Sequence, residues 1–396
     1  MKKRKKYRIN YIKFFISLTI FILVISISVI TIKKLVNKSV ENKKKIYLNE
    51  LQQNEKDYKS VTLTFAGDAV YHMDIINSAY NNATGEYDFT SNFKTIKHLF
   101  EGSDINVITY DGTMVPDLYP ISAYPKFNGP FEICNAFNYL GINLVNLGTN
   151  HSLDYGREGL LKTIDAFNER GLSTIGTSKR EKDRIRYFKV KGIKFAFISY
   201  SEFLNNNEKE IPENEPFLVV KPSKEIIEKE LKEAKEKSDF IVVLMHWGTE
   251  YMEDLTINEK DFSEILFENG ADLVIGSHPH VLQKAKVVSG YGDDKFICYS
   301  LGNFISNQRI ETLDNFNTEF GAVARFKVSI NDDKAVLKEA SYVPIWVNSY
   351  KDKNQNQRYE VIDTINYSNK KDKLSNETID RIDRAREKAL EILEGD

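Results

Sequence analysis

Five mainly apolar runs each end on or near a side chain that can ligate a metal, and this pattern constrains the fold most. The runs are short, rich in β-branched residues and almost continuously hydrophobic, which is typical of buried strands. They occupy residues 61–68, 105–111, 142–151, 240–248 and 271–280. Their ends carry Asp68, Asp111, Asn150 with His151, His246, and His278 with His280. Because ligands of open α/β sheets bind beyond the carboxyl ends of strands, the pattern predicts one shared site.

The N-terminal region contains a predicted membrane anchor. Residues 14–32 are 19 consecutive residues without a charge, about the length that crosses a hydrocarbon core. A basic leader, residues 1–13, precedes them, and no A-x-A-like cleavage site follows, so an uncleaved single-pass anchor is favoured over a cleaved signal. The short leader favours a cytoplasmic N-terminus and an extracytoplasmic main domain, although lysines also follow the span. The lysine-rich residues 33–60 are interpreted as a stalk.

Charge differs between the two parts of the chain. Residues 1–60 hold 15 Lys and Arg against 4 Asp and Glu, which leaves 40 against 53 for residues 61–396. The basic part suits a membrane surface with anionic headgroups. The acidic part argues against nucleic acid as a partner, because phosphate binding requires clusters of Lys and Arg.

The chain has two cysteines, too few for a disulfide framework. Cys134 falls in a predicted helix and Cys298 in a predicted strand. Two buried free thiols are therefore favoured, with a single disulfide as the alternative. Neither cysteine has the spacing of a zinc ligand.

Strand-like and helix-like stretches alternate from residue 61 to about residue 348, which predicts an α/β domain. Helices are predicted at residues 132–140, 156–170, 224–237 and 258–269. Asp154 is a candidate N-cap for the second of them. Residues 349–396 are interpreted as a polar linker followed by an amphipathic helix at 377–393. The long loops at 80–92, 115–130 and 204–216 are expected to form rims or lids near a site.

The predicted site combines carboxylates, an amide oxygen and imidazoles, which together suit one or two Mn, Fe or Zn ions. A carboxylate can bridge a pair of ions, and such a pair can stabilise a developing oxyanion. Because His151 follows Asn150 directly, one of the two can bind metal while the other faces the substrate as a general acid.

The motifs FAGD, GTNHSLDYG, MHWGTEY, IGSHPHVLQ and YSLGNF occur in this order, and the chain closely resembles the CapA/PgsA poly-γ-glutamate capsule synthesis family. That family resembles the calcineurin-like metallophosphoesterases. The similarity extends over about residues 61–347. It implies a metallophosphoesterase-like, layered α/β/β/α sandwich, preceded here by the transmembrane helix.

The resemblance also implies roles for individual residues. Asp68 and His280 would bind a first metal, and Asp111 would bridge. Asn150, His246 and His278 would bind a second metal, with His151 as the acid. Apart from the resemblance, Asp154, Glu250 and Asn303 are expected to orient the ligands, with a simple rim position as the alternative for Glu250.

The sequence departs from the phosphoesterase pattern at two places. Val70 stands where a D-x-H motif has its histidine, and Asp111-Gly112-Thr113 replaces E-T-P. His72 can compensate for the missing histidine only if its loop curls back.

The implied function is participation in making or exporting poly-γ-glutamate or a similar anionic envelope polymer. Because the sequence has no G-x-x-x-x-G-K-[ST] phosphate loop, ATP-dependent ligation is assigned to partner synthase or export subunits. Two alternatives are a metal-dependent hydrolase of phosphoesters or of the polymer, and a non-catalytic scaffold.

Overall fold

The computed structural model describes residues 60–367 and 374–395. The predicted leader at 1–13, the span at 14–32 and the stalk up to residue 59 lie outside the described residues. None of the helices in the described ranges is both long enough and apolar enough to cross a membrane.

Within these residues the strands form two large sheets and one small hairpin. In chain order they are β1 (Ser60–Ala69), β2 (Tyr80–Asn81), β3 (Glu86–Tyr87), β4 (Ile105–Tyr110), β5 (Leu144–Asn146), β6 (Ser173–Ile175), β7 (Arg186–Val190), β8 (Ile193–Ser201), β9 (Phe240–His246), β10 (Leu273–Ser277), β11 (Ala285–Val288), β12 (Lys295–Cys298), β13 (Asn303–Ile305), β14 (Phe320–Asn331), β15 (Lys334–Lys351) and β16 (Gln357–Asp363).

The larger sheet has the order β16-β15-β14-β1-β4-β5-β6, with β13 beside the end of β1. The smaller sheet has the order β11-β12-β10-β9-β8-β7. Neighbours are parallel from β1 through β4 and β5 to β6, and from β8 through β9 and β10 to β12. The carboxyl ends of each parallel set therefore lie along one edge of its sheet.

The α-helices are α1 (Met73–Ala79), α2 (Ile133–Leu140), α3 (Gly156–Glu169), α4 (Lys224–Lys237), α5 (Ile257–Glu268), α6 (Ile310–Leu313) and α7 (Asn376–Glu394). The helices predicted at 132–140, 156–170, 224–237 and 258–269 match α2 to α5 to within a residue or two. Leu140 and Glu268 are each followed within two residues by a glycine with positive φ, Gly141 and Gly270, which ends the helix as expected.

The layers follow from which faces of the elements are apolar. Phe65 and Val107 of the larger sheet and Phe197 and Val242 of the smaller one belong to one buried cluster between the sheets. The opposite face of the larger sheet packs against α1, α2 and α3. The outer face of the smaller sheet packs against α4 and α5. The α/β class is confirmed, and the layers stack as helix, sheet, sheet, helix.

The interpretation of residues 349–376 as a linker is wrong for its first part. Residues 349–351 continue β15, and β16 then adds a strand at the edge of the larger sheet. Tyr359, Val361 and Ile362 are buried there. These few apolar positions lie in a stretch dominated by Asn, Lys and Gln, so composition concealed a strand that buries only part of its surface.

The C-terminal helix packs on its own domain. Ile382, Ala385, Ala389 and Leu393 recur at helical spacing and join the cluster between the sheets. The two cysteines are buried and free, as the sequence predicted.

Candidate metal centre

The residues predicted as metal ligands come together where the carboxyl ends of the parallel strands of the two sheets meet. Asp68 lies near the end of β1 and Asp111 directly follows β4. Asn150 and His151 lie in the loop after β5, and all four residues are buried. The smaller sheet contributes His246, the last residue of β9, together with His278 and His280 just after β10.

One group of candidate metal ligands contains Asp68, Asp111 and His280. Nδ1 of His280 lies 3.6 Å from Oδ2 of Asp68, and its Nε2 lies 4.0 Å from Oδ2 of Asp111. Oδ1 of Asp68 and both carboxylate oxygens of Asp111 are buried and have no hydrogen-bond partner among the described residues. Buried carboxylate oxygens without partners are costly unless a cation or donor compensates them.

A second group contains Asn150, His246 and His278. Nε2 of His246 lies 2.9 Å from Oδ1 of Asn150 and 3.1 Å from Nδ1 of His278. The rings of His246 and His278 have centroids 4.7 Å apart. An amide oxygen and two ring nitrogens therefore face one another in a small volume.

The two groups are joined by the main chain at the end of β10. The backbone N–H of His278 donates to Oδ2 of Asp68 at 3.0 Å. His278 and His280 have φ of 98° and 58°, values that non-glycine residues rarely adopt. Such strain persists only where the surrounding structure enforces it, and it is concentrated at functional sites.

Neighbouring side chains hold one ring nitrogen of His246 and one of His280. Nδ1 of His246 lies 3.0 Å from Oγ of Ser277, and Nδ1 of His280 lies 3.1 Å from Oδ1 of Asn303. Asn303 in turn donates through Nδ2 to the side chain of Gln308 at 2.8 Å. Contacts of this kind fix the orientation of ligand histidines. Asn303 therefore lies where the sequence analysis expected a supporting residue.

Glycine at position 67 permits the close approach that places Asp68. A Cβ on Gly67 would lie 2.0 Å from the carbonyl oxygen of Gly302. That contact lies next to the hydrogen bond from the Asp68 N–H to the same oxygen, at 2.9 Å. Any larger side chain would push β1 away from the loop before β13 and displace Asp68.

The electrostatics of the cluster favour a bound cation. Burial, and then the charge of Asp111, raise the pKa of Asp68 well above its usual range. Burial also lowers the pKa of His278 to about 3 and that of His280 to about 4, so both imidazoles are neutral at physiological pH. Neutral imidazoles are the protonation state that metal binding requires, and a bound cation would favour the ionised form of Asp68.

The chemical types of the candidate ligands and the unpartnered oxygens of Asp68 and Asp111 fit a divalent ion. The side chains nevertheless contact one another rather than surround a common point. Among residues 60–367 and 374–395, no three His, Cys, Asp or Glu side chains are already arranged as the ligands of one ion. The roles of these residues as ligands therefore stay predictions.

His151 forms a pair with Asp154 beside these groups. Nδ1 of His151 lies 2.8 Å from Oδ2 of Asp154, which also accepts the backbone N–H of Phe127 at 2.7 Å. The expectation that Asp154 caps a helix is wrong, because α3 has Tyr155 at its N-cap position and no side-chain cap. Asp154 instead orients His151 and fixes the loop that carries Phe127.

The pKa of His151 is set by opposing effects. Burial lowers it, but the charge of Asp111, the hydrogen bond to Asp154 and the charges of Asp154 and Glu250 outweigh burial and raise it to about 9. His151 is therefore protonated at neutral pH in the arrangement described, which is the state a proton donor needs.

His72 is a neighbour of the first group of donors. It is the residue before α1, and its Nδ1 accepts the backbone N–H of Asn307 at 3.2 Å. Its charge contributes to lowering the pKa of His280. Nδ1 of His72 is thus occupied by Asn307, and its use in place of the missing histidine stays a prediction.

A pocket of about 550 Å³ opens beside His278. Phe203 lies against this histidine with ring centroids 5.0 Å apart. Asn205 also lines the pocket, accepts Nδ2 of Asn150 at 3.2 Å and lies 3.4 Å from Nδ1 of His151. Sequence reasoning did not single out Asn205. Its only signal was the predicted rim at 204–216.

Glu250 lies at the rim of the same pocket and is exposed. Its side chain interacts with Tyr251, whose pKa it contributes to raising. Its charge also raises the pKa of His151. Glu250 therefore acts on the centre through its charge, and no hydrogen bond to a ligand histidine is found for it in the described part of the chain.

The domain is an α/β sandwich with buried carboxylates and imidazoles at its strand ends. This arrangement defines the class of candidate metal-dependent proteins. Within that class, residues 62–308 match the family model described as "Bacterial capsule synthesis protein PGA_cap". The chain belongs to this family, which confirms the resemblance predicted from the five motifs.

Two curated relatives carry capsule-related names. The chain is 30% identical over 222 residues to "PGA biosynthesis protein CapA" of Bacillus subtilis (strain 168), covering 54% of this chain and 56% of the relative. It is 32% identical over 183 residues to "Capsule biosynthesis protein CapA" of Bacillus anthracis, covering 45% of this chain and 43% of the relative. The chain thus spans about half the length of the curated relatives it matches.

Two solved structures are similar at low identity. One is a phosphatase of Mycoplasma pneumoniae, with 15% identity, a TM-score of 0.42 and coverage of 73% of this chain and 95% of that chain. The other is the calcineurin-like phosphoesterase YfkN of Bacillus subtilis, with 14% identity, a TM-score of 0.43 and coverage of 85% and 99%. The layered fold is assigned from the sheets and helices described above and not from these similarities.

Proposed function

We propose that this protein is a membrane-anchored component of the machinery that makes or exports poly-γ-glutamate or a similar anionic envelope polymer, and that its folded domain acts there as a metal-dependent hydrolase. Family membership and the names of the curated relatives support the first part. The arrangement of donors at the strand ends supports the second. Synthase or export subunits would be its partners, and a phosphoester or the polymer itself would be the substrate.

The observation that carries the hydrolase proposal is the convergence of buried donors from separate strands beside a pocket. Asp68, Asp111 and His280 would hold one ion, and Asn150, His246 and His278 the other, with Asp111 as the bridge. A bound Mn, Fe or Zn ion would supply Lewis-acid stabilisation of negative charge that develops on the substrate. The unpartnered oxygens of Asp68 and Asp111 favour such an ion over a purely structural cluster.

His151 would deliver a proton to the leaving group. Asp154 holds its Nδ1 at 2.8 Å, which leaves Nε2 for the substrate. Asn205 lies between the proton donor and the second group of metal ligands and lines the pocket. The substrate would therefore enter beside His278, and the leaving group of the substrate would lie next to His151.

The hydrolase proposal can be tested with the purified full-length protein. Loaded with Mn²⁺ or Zn²⁺, it should hydrolyse either a chromogenic phosphoester or γ-linked oligoglutamate, and a chelator should abolish that activity until metal is restored. If the protein is needed for polymer production in cells and yet hydrolyses neither substrate with any of the metals, the scaffold alternative replaces the hydrolase.

The proposed orientation leads to a separate prediction. With residues 14–32 as an uncleaved anchor and the N-terminus in the cytoplasm, protease added to intact cells should degrade the folded domain. Immunoblotting against α7 would follow its loss, with a cytoplasmic protein as the control for lysis. Complete protection of the domain in intact cells, and degradation only after lysis, would contradict an extracytoplasmic location.

A further inference from the structure

A second pocket, of about 450 Å³, lies at the open edge of the sandwich. Its walls come from α3, from β6, from the start of β7 and from the loop that connects these two strands. β6 and β7 are the last strands of their sheets on this side. The pocket shares no lining residue with the pocket beside His278 and contains none of the candidate metal ligands. It is therefore a separate feature of the domain.

The pocket is cationic although residues 61–396 are acidic overall. Lys179, Arg180 and Arg186 line it, against the single carboxylate of Asp183. Lys179 is paired with Asp165, and Arg180 is paired with Asp183 at 2.5 Å. In the described part of the chain, no ion pair or side-chain hydrogen bond is found for Arg186. One guanidinium thus remains available to a ligand.

Arg186 occupies a position that faces the interior of the sandwich. Side chains of a strand alternate between faces, and Phe188 and Val190, which share the face of Arg186, pack against the cluster between the sheets. Arg186 is half-buried, whereas Tyr187 and Lys189 on the other face are exposed. A half-buried guanidinium without a carboxylate partner keeps part of its hydration and is free to pair with an anion.

Thr177 supplies an independent indication of a ligand. Only 6% of this residue is exposed, it lines the pocket, and its Oγ1 is buried with no hydrogen-bond partner among the described residues. Buried hydroxyls are nearly always hydrogen-bonded. A hydroxyl can donate to an anion, and because Thr177 lines the same pocket as Arg186, rotation of its side chain about χ1 would let the hydroxyl donate to an oxyanion that Arg186 binds.

We propose that this pocket is an oxyanion-binding site, separate from the candidate metal centre, in which the guanidinium of Arg186 and the hydroxyl of Thr177 hold a phosphate or a carboxylate. Lys179 and Arg180 also line the pocket, but they are paired with Asp165 and Asp183, so Arg186 supplies its unpaired positive charge. Guanidinium groups bind the planar pairs of oxygens of carboxylates and phosphates in a bidentate manner. The carboxylates of an acidic polymer and free phosphate share this chemistry. The proposal does not depend on whether the metal centre is a hydrolase.

The alternative explanation for Arg186 is protection of an edge strand, because inward-pointing charges discourage edge-to-edge pairing. That explanation accounts for Arg186 but not for the unpartnered hydroxyl of Thr177. It predicts that removing the charge promotes aggregation without changing anion binding.

Calorimetric titration of the full-length protein tests the proposal, with chelator present so that the metal centre does not bind the anions. Inorganic phosphate and γ-linked oligoglutamate are titrated separately, and saturable binding of either is expected. Arg186→Gln should weaken that binding about tenfold or more, since hydrogen bonds to charged groups are the stronger ones. Thr177→Val should weaken it by about threefold to tenfold. Lys189→Gln, on the exposed face of the same strand, should bind as the parent does.

The two titrations identify which anion the pocket accepts. Binding of phosphate alone indicates a phosphate site, and binding of oligoglutamate alone or of both indicates a site that accepts the polymer's carboxylates. Two controls test for loss of fold. One is the thermal unfolding of Arg186→Gln, and the other is an Arg186→Lys variant, which retains the charge. The proposal is overturned if neither anion binds saturably, or if folded Arg186→Gln binds as tightly as the parent.

Discussion

Replacement of His278 by alanine should remove or strongly weaken metal binding, whereas His151→Ala should leave metal content largely intact and still impair function. Nδ1 of His278 lies 3.1 Å from Nε2 of His246, which in turn lies 2.9 Å from Oδ1 of Asn150, so loss of His278 removes one member of this group. His151 is held by Asp154, and loss of a general acid typically lowers a rate by about 10²–10⁴-fold. Metal analysis of the purified proteins and hydrolysis or polymer production in cells measure the two effects separately.

His98→Ala is a matched control for the loss of a histidine. Its Nε2 contacts Asp363 at 3.0 Å, and its side chain is 48% exposed, outside the candidate centre. It should keep both metal and function. If His151→Ala loses metal as completely as His278→Ala, His151 is a ligand and the division of roles is wrong. If His151→Ala works as well as the parent, it is structural and the scaffold alternative gains support.

Removal of the Glu319 carboxylate should destabilise the fold by about 3–5 kcal/mol, the usual effect of breaking a buried ion pair from one side. Oε2 of Glu319 accepts from Arg309 at 2.9 Å and from Nε1 of Trp346 at 3.0 Å. Both Glu319 and Arg309 are buried, and burial lowers the pKa of Arg309. Glu319→Ala would leave the buried guanidinium of Arg309 with only the more distant, exposed carboxylate of Glu311, at 3.6 Å. Equilibrium unfolding in denaturant measures the change.

Glu339→Ala is the matched control for this prediction. Glu339 pairs with Lys327 at 3.1 Å on the surface, and its side chain is 42% exposed. Exposed pairs contribute less than about 1 kcal/mol, so this variant should unfold almost as the parent does. Equal effects of the two substitutions would mean that the Arg309–Glu319 pair contributes no more than a surface pair.

The strand ends were predictable because their signal is local. Runs such as β4 and β9 are buried along their whole length, so apolar continuity alone marks them as central strands. Parallel strands bring their carboxyl ends to one edge of a sheet, which is why Asp68 could be grouped with Asp111, and His246 with His278, from sequence; the two groups lie in different sheets, and only the packing of the sheets brings them together. The helices were equally clear, since apolar spacing and glycines at their ends are also local features.

The supporting residues were not predictable in the same way. Asp154 precedes a helix, and only the fold shows that it turns towards His151 and the Phe127 backbone rather than capping α3. Asn205 is one of several asparagines in a polar loop. Nothing near it in sequence indicates contact with Asn150, which is 55 positions away. Such contacts depend on how two sheets are placed against each other.

Hydrophobic runs and ordered motifs are properties of short segments, so the α/β class and the family follow from the sequence alone, and the same motifs predict the candidate metal ligands. Only the packed domain shows which candidate ligands face one another, that β16 belongs to the larger sheet, and that Arg186 and Thr177 line one pocket. These features arise where elements distant in sequence pack together. Their burial and their missing partners exist only once the sheets are assembled.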